Sequence, residues 1–427
     1  MRRWLAALAL AVVVRMGAHA VFLPAFAGPD EPQHLARMRD FAERPFREAF
    51  AGASVDAALL EEMGRYPCDA PRRAAAGCPE FAERPGGFDL VRRPPAPAPP
   101  RGASPIPNVE ANQPPLYYGV VGALMRPFSL SPAAQLLAAR LFAVALVAFA
   151  LFGPLRRLSA AWPASVGAAG LLALLSPGAS EALARCSNDA AVFLWAALVL
   201  AALARPVRPG PFVLLLAAGP LLKLTAIPIV VFAVVAAARE RGGMLSLAGA
   251  AAALAVVPVQ AARGFLFGGT LELNSPAAPV GEPLGGAVLG LLRSAYAFFK
   301  TALWVGGQSL VRPPRWLVAA WGLWLAAAGV LLRKRPDGRR ALAHGAAAAA
   351  AAGGFVLFAV ANRRHYGVWG GVAGWYLWSW SPWIAEAAAD LATMPARAVR
   401  TLLGFEALLV AVANAAWIAE SVRFYGV

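Results

Sequence analysis

Charge is scarce in this chain: Asp, Glu, Lys and Arg together make up 15% of 427 residues, well short of the quarter usual in soluble domains. That shortage, with a mean hydropathy of +0.58, excludes an ordinary soluble globular protein. Lysine occurs three times and cysteine three times, so neither a lysine-rich nucleic-acid arm nor a disulfide-dense scaffold is encoded. No His/Cys set has zinc-site spacing, and no glycine-rich phosphate loop follows a strand. Nucleotide-dependent chemistry therefore has no visible site.

What the chain does have is apolar runs. Crossing about 30 Å of hydrocarbon takes about 20 such residues. Candidate spans lie near 4–26, 135–153, 161–182, 189–204, 211–222, 225–238, 245–263, 315–332, 341–360, 373–390 and 402–420. The sequence thus predicts an all-α polytopic membrane protein, a single transmembrane unit over 1–427 with about eleven helices. The runs 211–222 and 225–238 are short and meet at "GPLLKLTAIP", as the two halves of a broken pair would. The basic start followed by an apolar stretch has the form of a secretory signal, read here as an uncleaved first helix because so many spans follow. Arginine-for-lysine bias and abundant alanine fit a GC-rich bacterial genome.

The net charge of +16 sits in short clusters between spans: Arg2/Arg3, Arg156/Arg157, Arg205/Arg208, Arg239/Arg241, the run from Arg333 and Lys334 to Arg340, and Arg397/Arg400. Recurrence after every second span is the positive-inside pattern of an inner-membrane protein with a cytoplasmic N-terminus, and no nucleic acid is called for. The connections on the other face are longer. A loop over 28–112 and a segment over 264–315 lie outside, the latter carrying an amphipathic stretch with Tyr296, Phe298, Phe299 and Trp304 suited to the interface.

Residues fit for chemistry gather on that outer side. In "FAGPDEPQHLARMRD", Asp30 or Glu31 can cap a juxtamembrane helix whose first turn tolerates Pro32, with Leu35, Met38 and Phe41 on one face and Asp30, Glu31, His34 and Arg37 on the other. A capping aspartate with a solvated face accounts for these residues as well as a reactive site does. In "NVEANQPPLYYG", Tyr117 and Tyr118 suit a headgroup-level belt, while Glu110, Asn112 and Gln113 can hydrogen-bond a sugar. "EALARCSNDAAVFLW" opens a span with Arg185, Asn188 and Asp189, where helix capping is the plain alternative. Lys223 suits a phosphate at headgroup depth or simple snorkelling, and Arg363, Arg364 and His365 precede an aromatic run rich in tryptophan. Cys68 and Cys78 are expected to form a disulfide in the outer loop. Cys186 reads as a lone structural thiol.

Five ordered stretches, "PDEPQHLARMRDF", "NQPPLYYGVVGALM", "SNDAAVFLWAALVLA", "LLKLTAIPIVV" and "GWYLWSWSPW", resemble the motifs of the GT-C superfamily of membrane glycosyltransferases over nearly the whole chain. The match is to its bacterial branch with an Asp-Glu-Pro-x-His motif, related to protein mannosyltransferases and lipid A aminoarabinose transferases. Two positions depart: Gln113 stands where relatives often have His, and Trp375 where that branch often has Arg. The resemblance implies a polyprenyl-phosphate-linked sugar donor, an extracytoplasmic glycan, lipid or protein acceptor, and inversion at the anomeric carbon. It implies Asp30 as general base, Glu31 assisting or binding a divalent cation (magnesium or manganese), His34 orienting the pair, and Lys223 with Arg363 and Arg364 on the departing phosphate. Asn112, Gln113, Tyr117, Tyr118, Asn188 and Asp189 fall to substrate binding. The rival is a lipid or solute permease, against which stand the absence of an internal repeat and spans whose midplane reads as nearly free of acids.

The charge pattern places 28–112 opposite the Lys334 connection. Single-cysteine variants tested with a membrane-impermeant thiol reagent should label at Ser104→Cys and not at Asp337→Cys; the reverse pattern overturns the topology.

Overall fold

A computed structural model describes residues 3–51 (except 24, 27 and 29), short pieces at 54–55, 59, 62 and 106–108, and then 113–205, 208–241, 249–251, 284–303, 314–331, 333–334, 340–366, 369, 374–393 and 395–425. Cys68, Cys78, Glu110 and Asn112 lie outside the described residues.

The fold is helical. Helix α1 (Arg3–Phe22) leads into two shorter helices, α2 (Glu31–Glu43) and α3 (Phe46–Ala51). Strand β1 (Ser54–Val55) pairs antiparallel with β2 (Ile106–Pro107), bringing the two ends of the first loop together. Then follow α4 (Leu116–Met125), α5 (Pro132–Phe152), α6 (Pro154–Leu158), α7 (Ala164–Leu174), α8 (Pro177–Leu183), α9 (Asp189–Leu203), α10 (Pro209–Leu222) and α11 (Ile227–Arg241). The chain closes with α12 (Leu284–Leu303), α13 (Arg315–Leu331), β3 (Arg333–Lys334), α14 (Ala341–Tyr366), α15 (Tyr376–Leu391), β4 (Ala392–Thr393) and α16 (Ala396–Tyr425).

Among the described residues, four helical stretches are long and apolar enough to cross a membrane: Arg3–Phe22, Pro132–Leu158, Ala341–Val360 and Ala396–Ser421. Counting α7 and α8 as one span bent by 76° makes five, where the apolar runs predicted about eleven. Proline and serine account for much of the difference. Ser176 is extended ahead of Pro177, its hydroxyl accepts from Ala179 N–H at 3.3 Å, and a new helix starts there instead of continuing. Likewise Lys223 is extended after Pro220, so α10 and α11 are two short helices joined by the 3₁₀ turn Leu224–Ala226. Most of the predicted run 245–263 lies outside the described residues.

Short α9 is the axis of the largest core. Val192, Phe193, Trp195, Ala196, Val199 and Leu200 are buried on nearly every side, packing with residues of α1, α5, α8, α11 and α15. The outer helices form a second core, in which Leu35, Met38 and Phe41 meet Phe50, Tyr117, Tyr118 and Val121. Here α4 presses on α2 so closely that a Cβ on Gly122 would lie 2.6 Å from the Met38 carbonyl oxygen. Helices α13 and α16 enclose a third, with Leu317, Val318, Trp321, Leu409 and Ala413. By contrast Leu10, Val14, Val21 and Phe22 of α1 face outward, as a lipid-facing stripe does.

Pairing of β3 with β4 puts the connections at 333–334 and 392–393 side by side. At the same end of α15, Arg340 of the turn before α14 bonds Glu386 at 2.7 Å and His344 lies 3.2 Å from Asp390. The other end of α15, near Tyr376, belongs to the site described next.

The apolar reading missed polar groups inside the bundle. Glu181 of α8 and Glu406 of α16 are both buried, and Arg15 and His19 lie on α1. The spans are therefore not as free of acids as their hydropathy suggests.

Candidate functional site

The site grows from the turn between α1 and α2. Phe26 and Asp30 take left-handed backbone angles, φ 62° and 57°, the only two non-glycine residues to do so among those described. Such a conformation costs about 1 kcal/mol or more and persists only where the surroundings impose it. What imposes it is Glu31, which is completely buried. One of its carboxylate oxygens accepts from Arg140 Nε at 2.8 Å and Cys186 N–H at 3.0 Å. The other accepts from Arg140 Nη2 at 2.6 Å and Gly28 N–H at 3.0 Å. Arg140 Nη1 donates in turn to the carbonyls of Leu23 at 2.6 Å and Ala20 at 3.2 Å, at the end of α1. One ion pair thus joins α1, α2, α5 and the loop ahead of α9.

Burial works against the Glu31 charge, yet Arg140 and the two backbone N–H groups outweigh it and hold the carboxyl below its ordinary range. With four hydrogen bonds accepted, Glu31 is a positioning residue. Asp30 behaves differently: it sits at the N-cap of α2, half-buried, and its side chain makes no capping hydrogen bond. The capping account of Asp30 does not match this geometry.

Next to this turn, His34 Nδ1 and the Tyr118 hydroxyl share a hydrogen bond of 2.7 Å, with their rings stacked. Burial, then the positive charges of Arg185 and Lys223, hold the His34 imidazole well below its ordinary pKa. Tyr117 and Tyr118 are buried rather than set in an exposed aromatic belt, and the Tyr117 hydroxyl is buried with no hydrogen-bond partner among the described residues. Arg37 is not on a solvated face either: it is buried and donates to the Ala49 and Phe50 carbonyls, bracing α3. Gln113 is half-buried just ahead of α4.

The cations come from the loop before α9 and the break after α10. Asp189, fully buried, accepts from Arg185 Nη2 and Lys223 Nζ, each at 2.7 Å, and from the Ser187 hydroxyl at 3.2 Å. It is the counter-ion of two buried cations, a stronger tie than a helix cap. Arg185 lies over the Trp375 ring at 4.8 Å and Lys223 over the Tyr376 ring at 4.7 Å. Burial opposes the Arg185 charge, but Asp189 and then Asp30 more than compensate, holding its pKa above the ordinary value. Asn188 donates to the Leu222 carbonyl at 2.8 Å, while its own side-chain oxygen is buried without a partner among the described residues. Trp380 fixes α15 against this corner through the Thr225 carbonyl at 2.7 Å.

The structure therefore brings Asp30, Glu31, His34, Tyr117, Tyr118, Asn188, Asp189 and Lys223 to one corner, and adds Arg140, Arg185 and Trp375 to it. Arg363 is half-buried near the end of α14, and none of the described bonds of the Asp189 cluster involves it; the side chain of Arg364 lies outside the described residues. Trp375 has the Arg185 guanidinium stacked over its ring, so a cation from the loop before α9 reaches the start of α15. Arg140 was legible only as a lone arginine inside an apolar run, a standing signal for a buried partner.

As for a divalent cation, no three or more His, Cys, Asp or Glu side chains gather to hold one among the described residues. Glu31 and Asp189 already neutralise arginine and lysine, so the residues do not fit a resident metal at this corner. No family model matches the chain, and neither a curated protein nor a solved structure matches it.

His34 supplies a pH test. An unfolded histidine takes up a proton below its ordinary value of 6.5 while the buried imidazole resists it. The unfolded state then binds more protons, so stability falls as pH drops from about 7 to about 5. Glu31 acts in a separate, lower window: its contribution is present above 4.5 and is lost as pH falls through its depressed folded value. Thermal melts in detergent should show a shallower slope between about pH 7 and 5 for His34→Gln than for the native chain. Equal slopes would mean that His34 is not held neutral.

Proposed function

We propose that the chain is a membrane glycosyltransferase that moves a sugar from a polyprenyl-phosphate donor to an acceptor hydroxyl at the outer face of a bacterial inner membrane, with Asp30 as general base. One observation carries this reading. A carboxylate that does not cap its helix is held in a strained turn beside two buried cations, and the corner also contains orphaned hydroxyl and amide oxygens. Transfer of a sugar from a phosphate needs these parts: a base for the incoming hydroxyl, hydrogen-bonding groups for the sugar, and positive charge where the leaving group departs.

In this reading Asp30 takes the acceptor hydroxyl proton as that oxygen bonds to the anomeric carbon. The bond from that carbon to the phosphate oxygen breaks, its electron pair stays on the phosphate, and the configuration inverts. Lys223 and Arg185 stabilise the polyprenyl phosphate as it leaves, with Asp189 keeping both cations oriented in its absence. Arg185 takes the place that the resemblance gave to Arg363 and Arg364. Tyr117, Asn188, Asn112 and Gln113 contact the sugar or acceptor, and the neutral His34–Tyr118 pair shapes the space next to Asp30. The acceptor is a cell-envelope glycan, lipid or protein, and surrounding membrane lipids solvate the donor's tail.

A permease is the second reading, and the half-buried Arg15 with the buried His19, Glu181 and Glu406 favour it more than hydropathy did. Release of free polyprenyl phosphate on adding acceptor separates the two, because a permease forms none.

Asp30→Asn keeps the size and suits the left-handed backbone, but it cannot accept the proton. Sugar transfer by purified protein should fall at least about a hundredfold with donor binding retained, whereas Lys223→Ala should weaken donor binding or phosphate departure. Near-normal turnover by Asp30→Asn would remove the base from this account.

A further inference from the structure

Inside the bundle, α1, α8 and α16 meet around one indole ring. Trp417 Nε1 donates to Glu181 Oε1 at 3.0 Å, the Arg15 guanidinium lies 5.1 Å from the Trp417 ring centre, and the His19 ring is 5.3 Å away. Arg15 Nε also donates to the Asn414 side-chain oxygen at 2.9 Å. Asn414 in turn donates at 2.9 Å to the Leu175 carbonyl, which the break between α7 and α8 frees from helical bonding. This is a polar junction built across three elements at the bend of a broken span.

Its hydrogen bonding is incomplete. His19 is 2% exposed, and neither ring nitrogen has a hydrogen-bond partner among the described residues. Arg15 Nη2, buried on the same side of α1 one turn away, has none either. The Ser180 hydroxyl, on the residue before Glu181, is a third such group. Polar atoms left unpaired in a bundle interior are destabilising, and one small molecule that both donates and accepts can satisfy several together.

We propose that this junction is a binding site for internal water. The donor and acceptor inventory selects the ligand. Arginine can only donate, a neutral imidazole donates once and accepts once, and serine does both. A water can accept from Arg15, donate to His19 and keep a third bond. Arg15 and Glu181 both border the Trp417 ring, so the junction carries charges of both signs and does not select an anion or a metal cation. Its place is directly beneath the outer site, since His19 adjoins Ala20, whose carbonyl accepts from Arg140. The site stands on these groups alone and is independent of the transferase reading.

Hydroxyl-radical footprinting with millisecond X-ray pulses, on the full chain in lipid nanodiscs, tests this by mass spectrometry, because radicals form where water is. The internal reference is Trp195, 3% exposed, with its indole N–H given to the Leu215 carbonyl in the apolar core. Normalised for intrinsic reactivity, His19 should oxidise at least about tenfold faster than Trp195 even though both are buried. Oxidation of His19 no faster than that of Trp195 would show a dry junction and overturn the proposal.

Discussion

The bond between Glu31 and Arg140 is the interaction on which the polar corner of the structure depends. A carboxylate with no exposure and a guanidinium at 3% are taken out of water together, which is costly unless every hydrogen-bonding position is used. Here Glu31 accepts four hydrogen bonds and Arg140 donates four, and the partners are spread over the chain: the end of α1, the start of α2, α5 and the loop before α9. One result is that Asp30 has little choice of backbone conformation. A second is that the loop bearing Arg185 and Asp189 is fixed to the turn bearing Asp30 through the Cys186 N–H.

From that tie the polar corner follows as a set of charge balances. Asp189 neutralises Arg185 and Lys223, the aromatic faces of Trp375 and Tyr376 accept the cations' other sides, and His34 stays uncharged beside them. Asp30, next in the chain to Glu31, makes no capping bond, and its charge acts on Arg185. Two adjacent acids are thus divided by environment: Glu31 is buried and bonded into the turn, and Asp30 is half-buried at the start of α2. The proposed chemistry rests on this division.

Much of the local architecture was legible in the sequence. The pattern of Pro32, Leu35, Met38 and Phe41 specified a helix at that place, though the structure buries its polar face as well as its apolar one, and Lys223 between two short apolar runs specified a break. The gathering of Asp30, His34, Tyr118, Asp189 and Lys223 at one corner followed from placing their loops on one face. What stayed hidden depended on distance along the chain. Arg140 pairs with an acid 109 residues away, and nothing local names that partner. Among the described residues only four helical stretches, or five with the bent pair, are long and apolar enough to cross a membrane, and the break at Ser176 inside the run 161–182 is one that hydropathy does not record. Hydropathy also averaged away Glu181 and Glu406 among alanines and leucines. The stacking of Arg185 over Trp375 is a contact between residues 190 apart by number that no spacing rule encodes.

A double-mutant cycle on Glu31 and Arg140, read as unfolding free energy in detergent, measures the tie itself. Each single change, Glu31→Leu or Arg140→Leu, strands a buried charge and should cost about 3–5 kcal/mol. The double variant removes both charges together and should cost no more than either single change, because the coupling between them cancels the second loss. Costs that simply add would show that the two residues act independently, and would contradict the account of how the site is held.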